Sequence, residues 1–246
     1  MTAPDLATAG FIFLAALLYS AVGHGGASAY LAVMALVGLS PEVMKPSALL
    51  LNVVVSGVAA WWFARAGHLS WPLLWPFAVA SVPAAFLGGF LTLPARWYQI
   101  VLGGVLAYAG VRMLLQRRIA PEDEARRPRM PVALGAGAGI GLLSGLVGIG
   151  GGIFLSPLLL LLGWAGPRGT AAASAAFILV NSLAGLAGHL LRAPALPAAL
   201  PLWAAFALAG GWTGARFGSV VLPAGALLRL LALVLLLASV KLVMLG

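Results

Sequence analysis

Apolar runs long enough to cross a lipid bilayer recur along nearly the whole chain. A helix of about 20 apolar residues spans a bilayer core. Glycine, proline and charged residues divide the sequence into eight apolar segments, at 7–38, 46–64, 71–92, 97–115, 132–163, 170–191, 198–220 and 224–245. No stretch between them is large enough for a soluble domain. The sequence therefore predicts an all-α, polytopic membrane protein with a single membrane domain over residues 1–246.

The chain has few charged residues, and they are unevenly distributed along it. Only 8% of the residues are charged, against roughly a quarter in soluble domains. The net charge is +9, and six arginines cluster around one short linker, at Arg112, Arg117, Arg118, Arg126, Arg127 and Arg129. This clustering is typical of the positive-inside signal, so we expect a cytoplasmic linker and no nucleic-acid partner. The N-terminus lacks Lys and Arg before its apolar run, which predicts that this run is retained rather than cleaved.

The two halves of the chain are related in sequence. Val22 to Gly26 matches Val147 to Gly151 at an offset of 125, and after a short insertion Asn52 matches Asn181 at an offset of 129. Further matched pairs are Gly38 with Gly163, Pro72 with Pro201, Pro94 with Pro223, Arg112 with Lys241, and the ladder Ser81, Ala85, Gly89 with Gly210, Gly214, Gly218. The sequence thus predicts repeat one at 7–115, a linker at 116–131 and repeat two at 132–246. A duplicated membrane domain with a glycine-interrupted segment in each half indicates a secondary transporter.

The glycines of segment 132–163 suggest a broken helix. Its length of about 32 residues exceeds one span and is too short for two. We predict two half-helices joined at Gly148 to Gly152, with the second starting near Ile153. Non-helical backbone survives inside a membrane only where protein covers it or it lines a cavity, and a helix N-terminus facing that cavity suits an anion. The alternative is that the glycines serve helix packing alone.

Two further glycine patterns bear on these alternatives. Gly137, Gly141 and Gly145 form a four-residue ladder that predicts close packing against a neighbouring helix. A nucleotide-binding loop fits the sequence less well. Ile153 replaces the third glycine of that motif, and no Lys-Ser/Thr pair follows.

Acidic residues are confined to the N-terminus, one loop and the linker. They are Asp5, Glu42, Glu122, Asp123 and Glu124. A cation carrier usually keeps a carboxylate inside the membrane, and a hydrolase would need paired carboxylates or a metal cluster. Cysteine is absent, which removes thiolate ligands and disulfides. We therefore expect an anion as substrate, and neither enzymatic activity nor a cofactor or metal.

Few polar side chains could meet that anion. Lys45 and Arg168 follow the broken segments and precede the next helices, where they could bind the anion or extend to lipid headgroups. Asn52 and Asn181 lie inside apolar spans, where a buried amide must find partners. They could line a cavity or join helices, and the same alternatives hold for the nearby Ser56, Ser174 and Ser182.

His24 is the one titratable residue placed in a predicted broken segment. Its imidazole could bind the anion or accept a coupling proton, or it could be a packing residue. We expect His68 and His189 at the interface, together with tryptophans such as Trp61, Trp62, Trp71 and Trp75. The predicted substrate-binding residues are His24, Gly25, Gly26, Ser28, Lys45, Asn52, Gly150, Gly151, Gly152, Arg168 and Asn181, with His24 as the candidate for proton coupling.

The glycine-rich segments resemble those of the TauE/SafE sulfite exporter family. Members carry two copies of a glycine-rich segment followed by an apolar helix, here "AVGHGGASAYLAVMALVG" and "GLVGIGGGIFLSPLLLLLG". The second copy, with Pro157 after its glycines, follows the family pattern, whereas the first differs at His24 and at Ala27-Ser28. The resemblance covers the whole chain. It implies a multi-pass carrier in the bacterial inner membrane for sulfur-containing anions such as sulfite, sulfoacetate or related organosulfonates, driven by the proton motive force.

The sequence therefore predicts a secondary transporter of small anions that works by alternating access. An anion channel and a non-transport scaffold subunit are the alternatives. The predicted partners are the anion and the lipid bilayer, and the glycine ladders would also allow a homodimer. A re-entrant first hairpin plus three spans per half would make the repeats inverted, which half-helix lengths favour over parallel repeats. In the inverted case both termini face outward.

Overall fold

The computed structural model describes residues 3–91, 128–192 and 196–220, together with the single positions 94, 97, 100, 104, 107, 111, 114, 229, 233, 236 and 240. All regular structure in this part of the chain is α-helix. The helices are α1 (Ala3–Ala21), α2 (Ala27–Leu36), α3 (Pro41–Arg65), α4 (Trp71–Phe90), α5 (Met130–Val147), α6 (Gly152–Leu161), α7 (Pro167–Leu190) and α8 (Leu200–Val220). The all-helical class is confirmed for these residues.

Among the helices that the structure describes, four are long and apolar enough to cross a membrane. They are α3, α4, α5 and α7, with 25, 20, 18 and 24 residues. Each starts with a proline in its first two positions, where the missing N–H costs no hydrogen bond and the fixed φ suits a helix. Many large apolar side chains on the helices are exposed, among them Phe11, Val79, Leu87 and Phe217. Such surfaces suit lipid rather than water.

Glycine ends α5 and separates it from α6. The backbone at Gly148 has φ +80°, and at Gly151, the residue before α6, φ is +82°. These left-handed conformations strain any residue with a Cβ. The equivalent glycines of the first half, Gly23 and Gly26, have φ +74° and +97°. The predicted break at Gly148 to Gly152 is thus present, and a similar break separates α1 from α2.

The two parts of segment 132–163 differ in length from our prediction of two half-helices. At 1.5 Å per residue, the 18 residues of α5 measure about 27 Å, while the 10 residues of α6 measure about 15 Å. The first part is therefore as long as a complete span and the second is half a span.

Two tightly packed glycine ladders hold the bundle together. A Cβ on Gly137, Gly141 or Gly145 of α5 would overlap the carbonyl oxygens of Phe77, Ser81 and Ala85 on α4. This confirms the predicted close packing of that ladder. In the same way, Gly210, Gly214 and Gly218 of α8 pack against the main chain of Phe13, Leu17 and Ala21 on α1. Thus α1 of the first half packs against α8 of the second half, and α5 of the second half packs against α4 of the first half.

The contacts also fix the helix directions. The two ladder contacts advance together along both chains, so α1 runs parallel to α8 and α4 parallel to α5. Val55 lies against Gly211, and Ala59 clusters with Ala215, so α3 runs parallel to α8. In contrast, α3 and α7 are antiparallel, since Leu49 lies by Gly185 and Gly57 by Leu179. Consequently α1, α3 and α8 point one way, and α4, α5 and α7 point the other way.

Three sequence predictions about position need correction. Lys45 lies inside α3 rather than before it, because that helix begins at Pro41, and Arg168 is the second residue of α7. Glu42 is an exposed residue in the first turn of α3 and not in a loop. The interfacial position of His189 stays a prediction: it is the next-to-last residue of α7, its side chain is buried, and its Nε2 lies 3.2 Å from the Gly145 carbonyl oxygen.

Other predictions fall outside the described residues. These are most of segments 97–115 and 224–245, most of the linker, the acidic residues Glu122, Asp123 and Glu124, and the matched positions Arg112, Pro223 and Lys241. The division into repeats and linker remains a prediction.

Candidate functional site

Two short loops, each between a first helix and its shorter partner, meet between α3 and α7. We call residues 22–26 the first glycine loop and residues 148–151 the second glycine loop. Both use the same backbone hydrogen bonds. The His24 N–H donates to the Tyr19 carbonyl, and the Ile149 N–H donates to the Ser144 carbonyl, at 2.8 and 3.3 Å. Similar sequences thus give similar turns in both halves.

Asn52 connects the two loops from the middle of α3. Its Oδ1 accepts the N–H of Ala27, the first residue of α2, at 3.0 Å. Its Nδ2 donates to the Ile149 carbonyl at 3.1 Å and to Ser182 Oγ at 3.4 Å. Asn52 is fully buried, so these bonds satisfy an amide that water cannot reach. Of the two alternatives for Asn52, the structure shows the interhelical bonds.

Asn181 does not repeat this arrangement. Its Nδ2 donates to the Phe177 carbonyl of its own helix at 2.8 Å. Its Oδ1 is buried and has no hydrogen-bond partner. An unpaired buried acceptor costs free energy unless something binds to it. The matched asparagines therefore differ: Asn52 holds the loops together, whereas Asn181 keeps an unused acceptor.

The first half fills the space around the N-terminus of α2. Asn52 caps Ala27, and the Tyr30 hydroxyl donates to the Gly25 carbonyl at 2.6 Å. The Tyr19 hydroxyl bonds with Ser28 Oγ at 2.7 Å. The predicted site residues Gly25, Gly26 and Ser28 are therefore all in contact with protein side chains. For Gly26 the neighbour is Tyr30, whose ring would lie 2.7 Å from a Cβ on the glycine.

The second half leaves the N-terminus of α6 uncapped. The residue before α6 is Gly151, which has no side chain to cap the helix. The Phe154 N–H donates to the Gly151 carbonyl at 3.0 Å, so the N–H groups of Gly152 and Ile153 are the first-turn donors without a partner in their own helix. Ser144, which corresponds to Tyr19, lies beside Gly151: its Cβ would be 3.3 Å from a Cβ on that glycine. The Ser144 hydroxyl is buried and has no partner. Unused donors therefore gather at this helix terminus, where the helix dipole favours negative charge.

His24 reaches from the first glycine loop into the second half. Its Nδ1 lies 3.1 Å from the Val22 carbonyl oxygen, and its Nε2 lies 3.3 Å from Ser156 Oγ on α6. Ser156 Oγ is in turn 2.7 Å from Ser174 Oγ on α7. All three side chains are buried. They form one hydrogen-bonded chain between the halves.

The two predicted cations lie near different loops. Lys45 is nearly buried, and its main chain and Cβ would be 3.2 Å from a Cβ on Gly148 in the second glycine loop. The corresponding neighbour of the first glycine loop is Ala171, whose main chain contacts Gly23. Arg168 lies one turn earlier in α7. The two cations therefore do not occupy equivalent places around the loops.

The structure thus gathers most of the predicted residues and adds some that were missed. His24, Gly25, Gly26, Asn52, Gly150, Gly151 and Gly152 lie at or between the two loops. Sequence reasoning missed Ser144, Ser156, Tyr19 and Tyr30. Ser156 could have been noticed as a hydroxyl in an apolar helix four residues after Gly152, on the same helical face. Ser144 could have been found by pairing it with Tyr19 at the offset of 125.

The described residues contain no group of three or more His, Cys, Asp or Glu side chains that could hold a metal ion. The groups that converge at the loops are backbone N–H groups, hydroxyls, amides and one imidazole. These are ligands for an anion and for a proton. The fold and this site define a class, namely multi-pass helical membrane proteins with a polar centre made by broken helices.

Comparison with known proteins identifies the family within this class. The family model described as "Sulfite exporter TauE/SafE" matches residues 8–242. The chain belongs to this family. It is also 41% identical over 233 residues to "Probable membrane transporter protein y4hK" of Sinorhizobium fredii (strain NBRC 101917 / NGR234), covering 94% of each chain. No solved structure matches the chain significantly. The recognition made from the glycine segments is therefore confirmed, and membrane transport is the supported class of function.

Proposed function

We propose that this protein is a secondary transporter that carries a small sulfur-containing anion across the bacterial inner membrane. Sulfite, sulfoacetate and related organosulfonates are the proposed substrates. Transport proceeds by alternating access and is coupled to protons. The family description supports sulfur-containing anions, since it names sulfite export.

One observation supports the anion site most directly. The N-terminus of α6 has no side-chain cap, and the buried Ser144 hydroxyl beside it has no partner. An oxyanion at this position would accept hydrogen bonds from the first-turn N–H groups and from Ser144. In the first half the equivalent place is filled by Asn52 and tyrosines. We therefore place one anion in the second half rather than one in each half.

The helix directions support inverted repeats with re-entrant hairpins. Equivalent helices of the two halves point in opposite directions, α1 against α5, α3 against α7 and α4 against α8. Ser156 of α6 bonds Ser174 of α7, and Gly150 lies by Ser182, so α6 runs antiparallel to α7 and returns beside α5. Both loops contact Asn52 in the middle of α3, and the second glycine loop also contacts Ile178 and Ser182 in the middle of α7, the depth at which transporters bind substrate. With a cytoplasmic linker, the N-terminus then faces outward.

Reconstitution in liposomes tests the transport proposal. We expect saturable movement of sulfite or sulfoacetate that responds to an imposed pH gradient. Non-saturating flux that ignores the pH gradient would indicate a channel, and no flux across a panel of sulfur-containing anions would contradict the proposed function. A reporter that is active only in the cytoplasm, fused to the C-terminus, tests the topology: activity would contradict inverted repeats.

Ser144→Ala tests the position of the anion. We expect the apparent affinity for the anion to fall about tenfold or more, because a hydrogen bond to a charged group contributes about 1.5–3 kcal/mol. Ser219→Ala is the matched control, since Ser219 is a buried serine on α8 whose hydroxyl bonds only a carbonyl of its own helix, that of Arg216. Equal affinities in the two variants would place the anion elsewhere.

A further inference from the structure

The hydrogen-bond chain from His24 through Ser156 to Ser174 has a defined direction when the imidazole is neutral. The Val22 carbonyl can only accept, so we assign the hydrogen of the neutral imidazole to Nδ1, which lies 3.1 Å from that carbonyl; the backbone of Gly152 is a further neighbour of the ring. Nε2 then has only a lone pair and accepts the Ser156 hydroxyl. Ser156 Oγ, having donated its one hydrogen, accepts from Ser174 at 2.7 Å. In this state the Ser174 hydrogen points inward, toward Ser156.

Adding a proton to His24 reverses the chain. The proton binds Nε2, which becomes a donor and gives its hydrogen bond to Ser156 Oγ. Ser156 then turns its own hydrogen to Ser174 Oγ, since that oxygen is its other partner. Ser174 in turn directs its hydrogen away from the chain. No bond between heavy atoms is formed or broken, and one proton is gained.

The released Ser174 hydroxyl lies beside Ser156, one turn along α6 from Gly152, the first residue of that helix. The main chain of the same residue reaches the N-terminus, since the Ser174 carbonyl is 3.5 Å from the position of a Cβ on Gly152. The chain therefore leads from the imidazole to within about one helical turn of the place where we put the anion.

We propose that His24, Ser156 and Ser174 form a relay that binds one proton together with one oxyanion. This inference rests on the proposed anion site and deepens it by naming the coupling element. Protonated His24 supplies a donor and a positive charge to the anion through Ser174. By linkage, the bound anion favours the protonated imidazole to the same degree. Proton and anion then move together in the same direction.

Among the residues that the structure describes, no other titratable group bonds the imidazole. On α1 and α2, Tyr19 and Tyr30 use their hydroxyls on Ser28 and the Gly25 carbonyl. The charged residues of α3 lie toward its two ends, at Glu42, Lys45 and Arg65, those of α7 at Arg168 and His189, and α6 has none. Within the described part of the chain, proton coupling thus depends on His24.

Anion flux as a function of pH tests the relay. Sulfoacetate is a suitable probe, because its sulfonate and carboxylate stay ionised above about pH 5, so a pH dependence above that value reports on the protein and not on the anion. In the wild type we expect the apparent Kd for the anion to rise with pH, by up to about tenfold per pH unit. This holds over the pH range in which His24 is neutral in the anion-free protein and protonated in the anion-bound protein. Ser156→Ala and Ser174→Ala should lose this dependence while retaining slower flux. Ser156→Thr keeps the hydroxyl and should restore it.

Two further variants guard against a merely structural effect. His24→Gln can bond Ser156 but cannot bind the proton, so we expect a flat pH profile. Ser219→Ala should keep the wild-type profile. A wild-type pH profile in Ser156→Ala, Ser174→Ala or His24→Gln would overturn the relay while leaving the proposed transport intact. Absence of any anion flux in the wild type would instead overturn the proposed function, and the relay with it.

Discussion

Asn52 and Asn181 occupy matched positions in the two halves but make different hydrogen bonds. Asn52 bonds two backbone groups, the Ala27 N–H at the start of α2 and the Ile149 carbonyl in the second glycine loop. Asn181 donates one hydrogen bond, to the Phe177 carbonyl of its own helix. Asparagine therefore stabilises the fold at position 52, whereas at position 181 its side-chain oxygen is an acceptor without a partner.

Asn52→Ala should destabilise the protein much more than Asn181→Ala does. The first change leaves a buried N–H and a buried carbonyl unpaired, at about 1–3 kcal/mol for each group. The second should cost about 1 kcal/mol or less, because the Phe177 carbonyl keeps its helical partner. Chemical unfolding of both variants in detergent measures the difference. Equal losses would contradict the bridging role of Asn52.

Gly151 and Gly163 allow backbone strain to be separated from crowding. Both have positive φ, at +82° and +65°, but a Cβ on Gly163 would contact nothing within 4 Å. A Cβ on Gly151 would lie 3.0 Å from both Ile140 and Phe177. Each change to alanine adds about 1–2 kcal/mol of backbone strain.

We therefore expect Gly163→Ala to lower stability slightly and keep transport. Gly151→Ala should also lower the transport rate, because it disturbs the N-terminus of α6. Liposome flux and melting temperature, measured on both variants, test this. Full transport by Gly151→Ala would remove the second glycine loop from the proposed site.

The residues themselves predicted much of this centre, but not its asymmetry. Glycines in an apolar run predicted the breaks, and asparagines in apolar spans predicted buried hydrogen bonds. Which hydrogen bonds Asn52 and Asn181 make depends on where the loop of the other half lies. The sequence around each asparagine does not indicate that position. The relay was missed in part because Ser156 lies in the other half from His24.

Among the helices, the glycine ladders bring the backbones of α4 and α5, and of α1 and α8, into direct contact. Gly141 lies against the main chain of Ser81, whereas Gly139, two residues earlier on the same helix, has nothing within 4 Å of its Cβ position. In a membrane, where burial from water does not drive helices together, such close backbone contact is a main source of association.

Gly141→Ala should therefore separate α4 from α5 and lower the melting temperature. Gly139→Ala should leave stability unchanged or raise it by up to about 1 kcal/mol, since alanine favours a helix over glycine. Thermal unfolding in detergent compares the two. A loss of stability in Gly139→Ala as large as in Gly141→Ala would show that the ladder has no special role.

Helix lengths were the least predictable feature of the elements. The break at Gly148 was predicted because glycine tolerates positive φ, but the unequal lengths of α5 and α6 follow from how far each helix continues beyond its apolar core. In the same way α3 includes Lys45, because Pro41 starts the helix five residues before the predicted apolar segment.

At the scale of the whole molecule, the ladders unite helices from different halves. α8 packs on α1 and runs along α3, while α4 packs on α5 and runs along α7. The helix directions that support inverted repeats emerge only from these contacts. The sequence matches alone were compatible with parallel repeats.

Cross-linking can identify which groups of helices move. Because the chain has no cysteine, two introduced thiols can be linked selectively. The Cβ of Val55 would lie 3.4 Å from a Cβ on Gly211, close to the spacing in a disulfide. Leu179 Cδ1 would lie 3.8 Å from a Cβ on Gly57, between α3 and α7.

We expect a disulfide in Val55→Cys/Gly211→Cys to leave transport intact, because α3 and α8 belong to one packed group. A short thiol cross-linker in Gly57→Cys/Leu179→Cys should stop transport, and cleaving it should restore transport. Flux measured before and after reduction provides the comparison. Continued transport by the second linked variant would contradict movement between α3 and α7.

The ladders also determine what can act as a rigid part. Helices in backbone contact separate only at a large cost in free energy, so in the proposed alternating access each moving body would contain a helix from the other half: α8 would move with α1 to α3, and α4 with α5 to α7. The proposed moving bodies would then not coincide with the two sequence repeats. Under this proposal a division of the chain at the linker would separate helices that move together.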